Sequence, residues 1–237
     1  PAVFITAGSH STEQAGVSAA VACIDELQTE HQVYVIPTRD PVGMNGFAHV
    51  LSLGLGETPS ATSFDEVESI LRSGEVLFEE EDLLLSLIGE YGYASSRPSP
   101  DRRCAQYFFY QRLQLLASEN PEVLEPLRGR RVWMTPGQTG VAGTGDLGRA
   151  YTLIISLEGE ILHINRFHDT PWSPVEPRCT RDLMKRIRPG ISFDLHESQL
   201  MDDRYFLSAR HVPDPADQEW EEKGASAIIK GIKDSGA

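Results

Sequence analysis

Apolar residues in this chain fall in short blocks separated by polar loops, and the spacing inside each block points to its secondary structure. Ala2-Val3-Phe4-Ile5 is an unbroken apolar run of the kind a buried strand shows. Val17-Ser18-Ala19-Ala20-Val21-Ala22-Cys23-Ile24 continues with helical character, and His31 to Pro37 reads as a second, β-rich strand stopped by proline. Strand, helix, strand within the first forty residues is a βαβ unit, which predicts a largely parallel sheet. The loop from Thr38 to Phe47 follows, with Pro and Gly residues that mark a tight turn.

Between Phe64 and Leu127 the pattern changes. Phe64 to Leu71 is helical in pattern with Ser63 as N-cap. Glu79-Glu80-Glu81-Asp82 ahead of Leu83-Leu84-Leu85-Ser86-Leu87-Ile88 suits the solvated first turn of another helix. The Arg97–Pro100 region reads as a loop, and Tyr107 to Leu116 as an aromatic-rich core helix. The block 64–127 is therefore expected to be a helical insertion.

Strand character returns at Arg131-Val132-Trp133-Met134. A hairpin about Glu158-Gly159 joins Tyr151–Ile155 to Glu160–Ile164. A helix from Arg178 to Ile187, a strand Ile191–Leu195 and an amphipathic helix from Gln218 to Ile232 complete the chain. The expectation is α/β: one domain over 1–237, a mixed and mostly parallel central sheet with helices on both faces, and the helical insertion.

Composition narrows the function classes. Of 237 residues, 35 are acidic and 21 basic, for a net charge of −14. This balance argues against nucleic acid and anionic membrane as partners, since both require basic surface. No apolar run approaches bilayer length, and no signal-peptide pattern is present. Cys23, Cys104 and Cys179 are sparse and odd in number, which favours a reducing, cytoplasmic setting, with Cys23 expected in the core. The Gly137–Gly145 segment is glycine-rich but contains neither phosphate-cradling motif, so it reads as a flexible loop near a site.

The chemistry gathers at Gly8-Ser9-His10-Ser11-Thr12-Glu13, where the first strand passes into the first helix. In open α/β sheets ligands bind at the carboxyl ends of strands. A histidine and a glutamate three apart can supply two of the three protein ligands of a catalytic zinc. His196, directly after the strand Ile191–Leu195, lies at the same edge and offers the third, with Asp194 near enough to orient it.

Together these segments resemble the zinc carboxypeptidase superfamily, which holds the metallocarboxypeptidases and the aspartoacylase and succinylglutamate desuccinylase deacylases. Gly8–Glu13 resembles its G-x-H-x-x-E zinc motif, and Arg39-Asp40-Pro41-Val42-Gly43 its N-P-D-G turn. Ile164-Asn165-Arg166-Phe167 resembles its N-R segment, Pro174–Arg181 its S-E-P-E-T-R helix start, and Asp194-Leu195-His196 the strand with the third ligand. The resemblance implies one zinc ion per chain on His10, Glu13 and His196. It implies that Asn165 and Arg166 grip a substrate carboxylate, with Arg149 the nearest candidate for an oxyanion-stabilising arginine. The implied activity is hydrolysis of an amide bond beside a free carboxylate, in a peptide or an N-acyl amino acid. A relative that binds zinc without catalysis is the alternative.

The family's general base, a glutamate on a late strand, has no counterpart here. Glu197 should face away from its neighbour His196, and Glu219, Glu221 and Glu222 fall on a helix. Either the chain is truncated at both ends or the fold is minimal and the base comes from elsewhere.

Overall fold

The computed structural model describes residues 1–96, 105–135, 147–168, 170–197 and 214–236, without the side chains of 96 and 105–110. The Arg97–Pro100 loop, Cys104 and the glycine-rich Gly137–Gly145 segment lie outside the described residues. In chain order the elements are β1 (Val3–Ala7), α1 (Gln14–Glu26), β2 (Val33–Ile36), α2 (Pro41–Met44), α3 (Phe47–Leu55) and α4 (Phe64–Ser73). Next come β3 (Glu75–Glu79), β4 (Leu83–Ile88), β5 (Tyr91–Ser96), α5 (Ala105–Glu119), β6 (Arg131–Met134), β7 (Tyr151–Ile155) and β8 (Ile161–His163). The last are α6 (Val175–Ile187), β9 (Ile191–Leu195) and α7 (Pro215–Asp234).

Contacts divide the chain into two bodies, Pro1–Gln199 and Leu200–Ala237. The first contains both sheets. The described part of the second is α7, whose Asp214 cap accepts the Ala216 amide and which buries none of its residues.

The chain is α/β as expected, but with two sheets instead of one central sheet. The first is three-stranded and wholly parallel, in the order β2-β1-β9. The second is six-stranded, β3-β4-β5-β6-β7-β8, and parallel at the β5–β6 pair alone among the described residues. A mostly parallel sheet therefore describes the smaller one only. The difference arises within 64–127, which is not a helical insertion throughout. α4 and α5 form where helices are expected, and Ser63 and Glu66 make a reciprocal capping box. Leu83–Ile88, however, is strand β4, and the acidic run before it is the end of β3 and the turn between the strands, where Arg112 bonds Glu80 and Asp82.

β4 misleads because it is covered on both faces. Leu84, Ile88, Tyr93 and Trp133 pack under Phe47, Val50 and Leu51 of α3 and Val67 and Leu71 of α4. Leu83, Leu85, Ala94, Val132, Met134 and Leu153 pack on the other side with Leu113 and Leu116 of α5. A strand buried twice carries no alternation, so its apolar run looks the same as a buried helix. Each such side chain contributes about 1.5–3 kcal/mol, which makes this two-sided core the main source of stability. Cys23, by contrast, is not in the core but half-buried on α1.

The loop after β2 is also more ordered than a plain turn. Asp40 caps α2 by accepting the Gly43 amide at 3.0 Å, with Pro41 at the first helical position. Asp40 is fully buried, and burial pushes its carboxyl up to about 6 against the pull of the Gly43 amide and the Arg131 charge. A folded-state value above the unfolded one means the folded protein binds the extra proton. Stability from this group is therefore complete below about pH 4 and lost as pH rises through about 6, by up to about 3 kcal/mol. Asp40→Asn keeps the capping oxygen and removes the titration. The melting temperature of the variant minus that of the wild type should climb between pH 4 and pH 7; a flat difference would contradict the assignment.

Candidate metal centre

All three parallel strands run the same way, so Ala7, Ile36 and Leu195 end on one edge. The chain leaves β1 through Gly8, whose φ of +60° is a conformation that costs an L side chain about 1 kcal/mol or more. That bend lets the Gly8 carbonyl accept the amides of Arg39 and Asp40, at 3.2 and 2.9 Å, and stitches the loop after β2 to the loop after β1. His10 and Glu13 are held just beyond.

β9 delivers His196 from the other side. Thr6 and Asp194 are register partners in the parallel ladder, so their side chains stand together, and Thr6 Oγ1 donates to Asp194 Oδ1 at 3.0 Å. His196, two residues on, projects to the same face, and its Nε2 donates to Asp194 Oδ2 at 3.1 Å. Arg39 Nη2, buried, donates to the same Oδ2 at 2.7 Å.

The three residues implied as ligands are brought together. His10 Nδ1 lies 2.7 Å from Glu13 Oε1, and His196 Nδ1 lies 2.8 Å from Glu13 Oε2. One ligand atom from each lies within 4.8 Å of the others. A tetrahedral zinc with bonds of 2.0–2.2 Å spaces its ligand atoms by roughly 3.3 Å, so small side-chain adjustments would admit the ion. Two imidazoles and one carboxylate also form a donor set that suits zinc with a position left open. The residues fit a metal ion.

The electrostatics are those of a site built for positive charge. Burial pushes the Glu13 carboxyl up, but hydrogen bonds from His10 and His196 outweigh it and hold the group at about 2. Hydrogen bonds to Asp194 and Glu13 raise His196 to about 9 against burial. Asp194, raised by burial, is drawn down to about 2 by His196 and Arg39. The His196 side chain is 36% exposed and that of His10 15%, so solvent reaches the cluster from the β9 side.

Glu13 sits at the N-cap of α1 yet caps nothing there, because its carboxylate is engaged with the histidines. The open amide of Ala15 is satisfied instead by Glu197 Oε2 at 3.0 Å. Glu197 thus serves the start of the helix. α1 can approach β9 this closely because residue 16 is glycine: a Cβ there would stand 2.8 Å from the Leu195 carbonyl oxygen. Gly16→Ala gains at most about 1 kcal/mol of helix propensity, while the forced retreat of α1 costs about 1–3 kcal/mol. A net loss in melting temperature is expected, with weaker metal binding as Glu13 draws away from His196. An unchanged melting temperature would show that the contact is relieved elsewhere.

The remaining residues divide. Asn165 and Arg166 occupy a single helical turn directly after β8, with the Asn165 Oδ1 buried and without a hydrogen-bond partner among the described residues, and Arg166 exposed. Arg166 is close enough that its charge, after burial and the His10 charge, helps lower His163 to about 3. Arg149 is engaged differently: its Nη1 donates to the carbonyl oxygens of Met44 and Gly148 at 3.0 and 2.7 Å.

Sequence reasoning placed Arg39 in the turn segment Arg39–Gly43 after β2 but gave it no role at the site. It missed Tyr151 and His163, which lie against the His10 ring with centroids 5.6 and 5.0 Å away.

No protein-family model, curated protein or solved structure matches the chain. What stands is an α/β protein with a His-Glu-His group able to hold a metal ion at the carboxyl edge of its parallel sheet. No described helix is long and apolar enough to cross a membrane.

Proposed function

We propose that this protein is a zinc-dependent hydrolase that cleaves an amide bond beside a free carboxylate, in the manner of the metallocarboxypeptidases. The observation that carries the reading is the convergence of His10, Glu13 and His196, from the loop after β1 and the end of β9, with one ligand atom of each within 4.8 Å of the others. When bound, zinc would polarise the substrate carbonyl and lower the pKa of a water molecule. The chain's own residues have separate tasks. Asp194, fixed by Thr6 and Arg39, orients His196. Arg166, with its guanidinium fork, is suited to take the substrate carboxylate, with Asn165 beside it. Both sit on the turn directly after β8, whose last residue, His163, meets the His10 ring edge-on. N-acyl amino acids offer the same amide and carboxylate and form the second substrate class to screen.

One observation favours the non-catalytic alternative. Glu197, the carboxylate next to the third candidate ligand, accepts the Ala15 amide through Oε2 and so is engaged at the start of the helix. A single experiment separates the readings: metal content and turnover on C-terminal peptides and N-acyl amino acids, in wild type and His196→Ala. Near-stoichiometric zinc lost in the variant, with zinc-dependent turnover, is the expected result. Zinc without turnover would support a binding role, and no zinc uptake at all would overturn both.

A further inference from the structure

His196 is oriented as metal-bound histidines usually are, with its second ring nitrogen on a carboxylate, Asp194, at 3.1 Å. His10 is not. Its Nε2 is buried and has no hydrogen-bond partner among the described residues. The hydrogen bond of its Nδ1 to Glu13 lies at the atom turned toward the metal position, so with an ion in place something else must hold the ring against rotation about χ2. Two residues of the six-stranded sheet surround it. The Tyr151 ring stacks on the imidazole with centroids 5.6 Å apart and planes 28° apart. The His163 ring meets it edge-on at 5.0 Å and 70°.

The two are fixed to each other as well. Leu153 of β7 is the register partner of His163 on β8, so Tyr151, two residues before Leu153, is the diagonal neighbour of His163 on the same face. Tyr151 Oη lies 2.5 Å from His163 Nδ1, and the rings meet at right angles, 86° apart. Tyr151 is buried within a strand whose five residues are all buried, so this pair rests on rigid backbone.

We propose that Tyr151 and His163 are positioning residues of the metal centre: they form an aromatic clamp that holds the His10 ring with Nδ1 turned toward Glu13. The clamp replaces the missing outer hydrogen bond of His10. It also couples the six-stranded sheet mechanically to a centre whose ligands all belong to the parallel sheet and its loops. The proposal rests on the reading of His10 as a metal ligand.

The test compares wild type with His163→Ala, Tyr151→Leu and Tyr151→Phe, by zinc competition against a chromophoric chelator and by the visible spectrum of the Co(II)-loaded protein. His163→Ala and Tyr151→Leu are expected to lose about 10- to 100-fold in zinc affinity, the size usual for outer partners of a ligand. Their Co(II) bands should shift as the ligand geometry loosens. Tyr151→Phe, which keeps the stacked ring, should lie closer to wild type than Tyr151→Leu. A packing role alone would lower the melting temperature and leave the Co(II) spectrum unchanged. Wild-type affinity and spectrum in folded Tyr151→Leu or His163→Ala would overturn the clamp and leave the metal centre standing. Absence of metal binding in the wild type would overturn the centre itself, and the clamp with it. Should His163→Ala fail to fold, the Phe and Leu variants at position 151 carry the same comparison.

Discussion

Glu13→Ala is expected to abolish stoichiometric zinc binding while leaving the protein folded. Zinc sites with four ligands have apparent binding energies of about 10–16 kcal/mol, so one ligand accounts for about 3 kcal/mol or more, at least about a hundredfold in affinity. Glu13 should stand at the high end because it bridges the other two ligands, with Oε1 on His10 and Oε2 on His196. It also carries the only negative charge among the three. Its loss leaves His196 with Asp194 as its acidic partner among the described residues and removes the carboxylate that both Nδ1 atoms meet. Glu13→Gln, which keeps the shape and one acceptor, separates charge from geometry and should fall between alanine and wild type. Competition with a chromophoric chelator, with elemental analysis of the dialysed proteins, reads the effect. Undiminished zinc in Glu13→Ala would place the ion away from this group.

Trp133→Ala should do the reverse, with a large loss of stability and little change in the ligand geometry. Trp133 is the largest fully buried side chain and packs with Tyr93, Phe47, Val67 and Leu71 between the six-stranded sheet and its helices. Emptying such a site costs about 3–5 kcal/mol. At 2–4 °C per kcal/mol for a chain of this size, that lowers the melting temperature by roughly 6–20 °C. The indole Nε1 is buried without a hydrogen-bond partner among the described residues. Trp133→Phe therefore gives up no bond and should cost clearly less than alanine. Thermal unfolding monitored by circular dichroism distinguishes the two. A smaller loss in the alanine variant than in the phenylalanine variant would mean that the core collapses around the gap.

The parts of this structure that could be read from the sequence are those where local pattern and position agree. The first βαβ unit, the hairpin about Glu158-Gly159 and the strand Ile191–Leu195 have short, well-punctuated signals, and all three are present. The grouping of His10, Glu13 and His196 was legible because ligand sites of parallel sheets lie at strand ends, and strand ends can be found from the sequence. β4 was not legible, since burial on both faces erases the alternation that marks a strand. The split into two sheets followed from that error, because β3, β4 and β5 create the larger sheet. Tyr151 and His163 escaped notice for another reason. They belong to ordinary strands of a different sheet, and nothing local to them indicates that His10 lies alongside.

The order in which the candidate ligands occur along the chain has a mechanical consequence. Glu13 and His196 are 183 residues apart, and the whole six-stranded sheet with its helices is strung between them. The pairing of β1 with β9 closes that span, and a metal ion would latch it from outside the core. Peeling β9 from the edge of the parallel sheet would open the latch without disturbing the two-sided core. The centre would then answer to the fraying of one edge strand, not to the melting of the protein.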